Sequence, residues 1–168
     1  MTSLRVLFVC TGNLCRSPMA GAILRGLLAR ERSVGVEVET AGTWASDGEA
    51  IAPLALQVLK EQGLDAGDHL SKRISTDVIE RSDLIVVMER AHREEILALW
   101  PEAAGKVVLM SSFGSDKGDE DVSDPYGKGI KEYRKCFRAL EQLVGALYSQ
   151  LLKTNRGRDE TWCGGGSE

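Results

Sequence analysis

No apolar run in this sequence approaches the length needed to cross a bilayer. The opening residues, MTSLRVLFVC, are too short for a signal peptide and lead straight into a strand-like run, so a cytoplasmic protein without a membrane partner is expected. An excess of positive charge is missing too: 21 Lys and Arg stand against 25 Asp and Glu, for a formal charge of -4. That balance argues against a nucleic-acid partner, although a local basic pocket is allowed. The four cysteines, Cys10, Cys15, Cys136 and Cys163, form no CxxC pair, and only His69 and His92 could add imidazoles. Neither a metal nor a cofactor is therefore expected. In a reducing compartment the cysteines are free thiols, and a special one is catalytic or redox-active rather than structural. Internal repeats and domain linkers are also absent.

What remains is an ordinary globular composition, with 43% hydrophobic and 27% charged residues in 168. It suits one domain over residues 1–153, followed by a polar tail, 154–168, expected to be disordered. Strands are predicted at Leu4–Val9, through the alternating Val34, Val36 and Val38, at Leu84–Met88 and at Lys106–Met110. Helices are predicted from Pro18 to about Arg32, from Pro53 to Gly63, from Ala91 to Leu99 ahead of Pro101, and over a long amphipathic stretch from Ile130 to Leu151. Thr40–Ala52 and the acidic Gly114–Asp124 read as loops. Strands alternating with helices imply an α/β fold, a parallel sheet with helices on both faces.

The segment Cys10-Thr11-Gly12-Asn13-Leu14-Cys15-Arg16-Ser17-Pro18 lies between the first strand and the first helix. Ligands of open α/β sheets bind at the carboxyl ends of strands, and a helix N-terminus there is an anion site. Gly12 permits a loop path on which successive N–H groups converge. The GK[ST] ending of a nucleotide-binding loop is missing, which disfavours ATP or GTP hydrolysis. Instead a thiol opens the loop and a guanidinium follows six residues later. The helix dipole, the loop N–H groups and the Ser17 hydroxyl would favour a Cys10 thiolate. Arg16 offers a planar fork matched to two phosphate oxygens. Alone, Cys10 reads as a small hydrophobe and Arg16 as a solvated side chain. Together, as C-x5-R-S at a strand-to-helix turn, they are set up for nucleophilic phosphoryl transfer.

CTGNLCRSPMA resembles the phosphate-binding loop of the low-molecular-weight protein tyrosine phosphatases. Asp124-Pro125-Tyr126 resembles that family's late DP-aromatic motif, Gly63–Ile74 with His69 and Ser71 resembles the segment behind the loop, and Thr40-Ala41-Gly42-Thr43 falls at its post-strand loop. The likeness covers residues 4 to 152. It implies a three-layer α/β sandwich with a four-stranded parallel sheet, the phosphate-binding loop between strand 1 and helix 1, and no metal. It also implies that Cys10 forms a phosphocysteine intermediate and that Arg16 clamps the phosphoryl oxygens. Thr11, Gly12, Asn13, Leu14, Cys15 and Arg16 would supply the main-chain cradle, and Asp124 the general acid. Asn13, Ser17 and His69 would support the loop. Cys15 would capture an oxidised Cys10 as a disulfide. Leu14, Trp44 and Tyr126 are candidates for the pocket walls.

Other residues receive plainer readings. His92 lies on a polar helix and is assigned no role, Asp119–Asp121 reads as a solvated acidic run, Trp100 packs at a helix end, Cys136 belongs to the core, and Cys163 lies in the tail. The expected substrate is a phosphorylated protein, and the expected state is a monomer or weak dimer. Within the resembled family, a threonine before the second loop cysteine goes with phosphoarginine. Leu14 offers an apolar wall suited to a phenyl ring, which favours phosphotyrosine. The DPYG form and the IKEYRKC run favour the arginine-phosphatase branch as the alternative. An arsenate reductase would need a late resolving cysteine pair, and a non-catalytic phosphate-binding module would not need both Cys10 and Asp124. Both rank lower.

Overall fold

The computed structural model describes residues 3–31, 35–115 and 120–160. Four strands, β1 (Leu4–Cys10), β2 (Val36–Gly42), β3 (Leu84–Val87) and β4 (Val107–Leu109), form one parallel sheet in the order β2-β1-β3-β4. Five α-helices accompany it among the described residues: α1 (Arg16–Leu28), α2 (Pro53–Glu61), α3 (Thr76–Arg81), α4 (Arg90–Leu99) and α5 (Ile130–Glu160). The α/β sandwich expected from the sequence is thus the observed one.

The apolar run of β1 has no polar alternation because both of its faces are covered. Val6 and Phe8 join Val86, Met19, Leu24, Leu59, Phe137 and Leu140 in the core on the α1, α2 and α5 side. Leu7 and Val9 join Ile85, Val87, Val78, Ile79 and Ile96 in the core on the α3 and α4 side. Each such large side chain contributes about 1.5–3 kcal/mol by leaving water. β2 lies at the sheet edge and alternates: outward-facing Glu39 forms ion pairs with Lys72 and Arg81 at 2.9 and 2.7 Å.

Several boundaries differ from the sequence expectation. β2 continues to Gly42, into the expected loop, because Thr40, Ala41 and Gly42 pair with Phe8, Val9 and Cys10. The Val34 part of that expectation, and the end of the first helix near Arg32, lie outside the described residues. Helix α3 has no counterpart in the sequence expectation. It is too short to display a period and is held by its ends: Ser75 Oγ accepts from the Val78 N–H, while Lys106 Nζ donates to the carbonyls of Ile79 and Ser82 at 2.6 and 2.8 Å. The expected tail begins as helix, since α5 runs through Glu160. Once nucleated, a helix adds residues at little cost, and no proline interrupts residues 154–160. Residues 161–168, with Cys163, lie outside the described residues. No helix among the described residues is long and apolar enough to cross a membrane.

The strand order places the site. After β1 the chain moves to one side of the sheet, toward β2, and after β3 it moves to the other, toward β4. Such a reversal opens a crevice between the carboxyl ends of the two central strands. Cys10 ends β1, and Met88 and Glu89 follow β3.

Candidate active site

The loop from Cys10 to Arg16 is shaped by its carbonyls. The carbonyls of Cys10, Thr11, Leu14 and Cys15 accept from the backbone N–H groups of Thr43, Trp44, Ala52 and Met19 at 2.9–3.1 Å. His69 Nε2 reaches the Asn13 carbonyl at 2.8 Å. In a trans peptide the N–H points opposite to the C=O. Carbonyls drawn outward therefore turn the N–H groups of Thr11, Gly12, Leu14, Cys15 and Arg16 toward the inside of the loop. Five inward donors at the start of α1 make an anion cradle.

Asn13 fixes the path. It is completely buried and sits at φ 56°, in the left-handed region that asparagine tolerates better than most residues. Its Oδ1 accepts from the Lys72 N–H at 3.0 Å. A backbone N–H only donates, so the amide nitrogen must face the other way, where it donates to Ser17 Oγ at 2.8 Å. Ser17 Oγ lies 2.9 Å from Cys10 Sγ, where its O–H donates to the sulfur once Cys10 is a thiolate.

Arg16 is 1% exposed. Its guanidinium forms an ion pair with Glu89, donates to the Val122 carbonyl at 2.8 Å, lies 3.4 Å from Asp124 Oδ2 and reaches Thr11 Oγ1 at 3.5 Å. Burial works against its charge, but Cys10, Glu89 and Asp124 outweigh it and hold the guanidinium more firmly protonated than usual. Asp124 is half-exposed above the loop, with Oδ1 accepting from the Tyr126 N–H at 3.1 Å. A cavity of about 190 Å³ opens here, lined by Cys10, Thr11, Gly12, Leu14, Cys15, Arg16, Asp124 and Tyr126. The site holds a thiol at the floor, N–H groups and a guanidinium around it, a carboxyl at the rim and an apolar wall.

A family profile described as low molecular weight phosphotyrosine protein phosphatase matches residues 5–157. The chain belongs to that family. A protein-arginine-phosphatase of Geobacillus stearothermophilus is 39% identical over 147 residues, covering 88% of this chain and 95% of the relative. A probable low molecular weight protein-tyrosine-phosphatase, EpsP, of Ralstonia nicotianae is 33% identical, covering 87% and 94%. The structure of a cysteine-to-serine variant of the arginine phosphatase YwlE, with a phosphorylated active-site serine, superposes with a TM-score of 0.85 at 32% identity, covering 91% of this chain and 99% of that one. As a member of this family the chain is a cysteine-dependent phosphatase, a hydrolase.

Within this phosphatase the structure brings together Cys10, Arg16, Asp124, the cradle, Leu14 and Tyr126, with Asn13, Ser17 and His69 behind them. Trp44 stands apart from the cavity lining. It is 65% exposed, and the Arg73 guanidinium stacks on its ring at 4.9 Å. Cys15 Sγ meets Tyr133 Oη at 3.4 Å, and burial pushes the Cys15 thiol up to about 11, so it is protonated at neutral pH. Cys136 is core, as expected, with its thiol pushed by burial to about 12. Trp100 packs at the end of α4, donating from Nε1 to Thr76 Oγ1 at 3.1 Å.

Sequence reasoning misses two residues. His92 is not on a solvated face: it is 1% exposed and its Nε2 lies 2.8 Å from Thr11 Oγ1. Glu89, the partner of Arg16, precedes it at the N-cap of α4. The Glu89-x-x-His92 box does not have the Ser/Thr-x-x-Glu/Gln pattern that marks a capping box in sequence, and only the strand order brings it beside the loop. The acidic run is also not wholly solvated. Asp121 Oδ1 accepts from the Arg90 N–H at 2.8 Å, because the first turn of α4 needs acceptors. Asp119 lies outside the described residues. No group of acidic, histidine or cysteine side chains able to hold a metal occurs among the described residues.

Proposed function

We propose that this phosphatase hydrolyses phosphotyrosine in proteins through a phosphocysteine intermediate. The cradle N–H groups and Arg16 hold the phosphoryl oxygens and take up charge in the transition state. Cys10 Sγ attacks phosphorus as the bond to the phenolic oxygen breaks, and Asp124 gives that oxygen its proton. Asp124, now a carboxylate, takes a proton from water, whose oxygen attacks the phosphocysteine. Phosphate leaves, and Cys10 returns as thiolate.

The observation that carries the tyrosine reading is Leu14 on the cavity wall. A leucine contacts a phenyl ring and offers nothing to a guanidine's donors, and unpaired donors weigh heavily in specificity. The second reading, phosphoarginine by the same mechanism, is favoured by the 39% identity to a protein-arginine-phosphatase. Matched phosphotyrosine and phosphoarginine peptides, turned over by the wild type and by Leu14→Thr, test the choice. The tyrosine reading expects a wild-type preference for phosphotyrosine that Leu14→Thr erodes by about tenfold or more. A preference that ignores the substitution would reject Leu14 as the discriminating wall.

Cys15 is the proposed redox partner of Cys10. A second thiol five residues along the same loop would capture an oxidised nucleophile as a disulfide before it over-oxidises. A nucleophile of this kind suits a reducing compartment, the cytoplasm.

A further inference from the structure

We propose that His92 is a positioning residue that fixes the polarity of the Thr11 hydroxyl, making it a side-chain donor to the bound phosphoryl group. The inference rests on the reading of the Cys10 loop as the phosphate site.

The argument begins with hydrogen counting. The Glu89 N–H lies 3.1 Å from His92 Nδ1. A backbone N–H only donates, so Nδ1 must be unprotonated. A neutral imidazole then carries its one proton on Nε2, which faces Thr11 Oγ1 at 2.8 Å. Burial, with Arg16 nearby, lowers the His92 pKa below the ordinary histidine value, in keeping with a neutral ring, although Glu89, Glu95 and Asp121 work the other way. Thr11 Oγ1 thus accepts from His92. Arg16 Nη2 approaches the same oxygen at 3.5 Å, also as a donor. With donors on its lone pairs, the hydroxyl turns its own proton elsewhere. Thr11 lines the cavity, where a phosphoryl oxygen is the acceptor.

His92 also caps α4, because its Nδ1 accepts the N-cap N–H of Glu89. A merely structural residue would act only there, and Gln is the residue that replaces the cap without the Thr11 contact. The experiment compares wild type, Thr11→Val, His92→Gln and the double variant. It measures kcat and KM on an aryl phosphate, and thermal midpoints verify that each variant is folded. Removing a donor directed at transition-state charge costs about 10²-fold or more in strong cases. Thr11→Val is expected to lower kcat about tenfold or more, with a smaller change in KM. His92→Gln is expected to lower kcat several-fold when Thr11 is intact and to have no further effect once Thr11→Val is present.

Equal losses from His92→Gln with and without Thr11→Val, or none in either case, would overturn the proposal. Should His92→Gln fold poorly, His92→Asn with Thr11 intact and with Thr11→Val provides a second cycle with the same criterion. Turnover that survives Cys10→Ser would overturn the active-site reading itself, and this proposal with it.

Discussion

Alanine at Gly42 should damage catalysis although Gly42 touches no substrate. A Cβ there would lie 2.5 Å from the Thr11 carbonyl oxygen, 2.9 Å from the Asn13 nitrogen and 2.8 Å from Ala45 Cβ. Two of those three neighbours are loop backbone and cannot rotate away. Gly42 cannot retreat either, because its N–H donates to the Lys72 carbonyl at 2.9 Å and its carbonyl accepts from Ile74 at 3.0 Å. The loop must move instead, by roughly 0.5–1 Å to restore ordinary contacts. A misplacement near 1 Å in a positioning element costs about 10²-fold in rate, or about 2.7 kcal/mol on the barrier. Overpacking should cost about 1–3 kcal/mol of stability, leaving the protein folded at room temperature. Steady-state hydrolysis of an aryl phosphate and a thermal melt measure both effects. A folded Gly42→Ala enzyme with kcat within about threefold of wild type would refute the claim that carbonyl stapling shapes the cradle.

Three further outcomes are expected. Asp124→Asn should lower kcat for phosphotyrosine peptides about 10²–10⁴-fold with little change in KM; unchanged turnover would remove Asp124 from its role. Burial lowers the pKa of both His69 and His92. Below about pH 6.5 the unfolded chain therefore takes up protons at these positions before the folded chain does. Stability should fall as pH drops from about 7 through 6 and below, with a shallower fall in His69→Gln, and a urea midpoint flat between about pH 7 and 5 would contradict this. After mild peroxide, mass spectrometry should find Cys10 linked to Cys15; Cys10 sulfinic acid without any link would end the redox proposal.

The loop is legible in the sequence because its chemistry is contiguous. Cys10, the cradle, Arg16 and Ser17 fall within eight residues, and the flanking apolar runs announce the strand and helix that hold them. The long, periodic α5 is legible for the same reason. The short α3 is not, since six residues display no period; the Ser75 cap is local, but Lys106 holds the other end across a tertiary contact. His92 escapes a sequence reading because its partner Thr11 is 81 residues away. Only the adjacency of β1 and β3 joins them, and alternating strands and helices do not reveal strand order. Trp44 is tied to the loop by its N–H on the Thr11 carbonyl, and its exposed ring lies under the Arg73 guanidinium, a contact that a partner 29 residues on hides from a local reading.

The central claim is that Cys10 attacks phosphorus inside this cradle. Rapid acid quench of the enzyme with a phosphotyrosine peptide, followed by peptide mapping, tests it most directly. The account predicts a phosphoryl group on Cys10 that forms within one turnover and decays with release of phosphate. Full-rate turnover with phosphate never appearing on Cys10, or with Cys10→Ser as active as wild type, would contradict it.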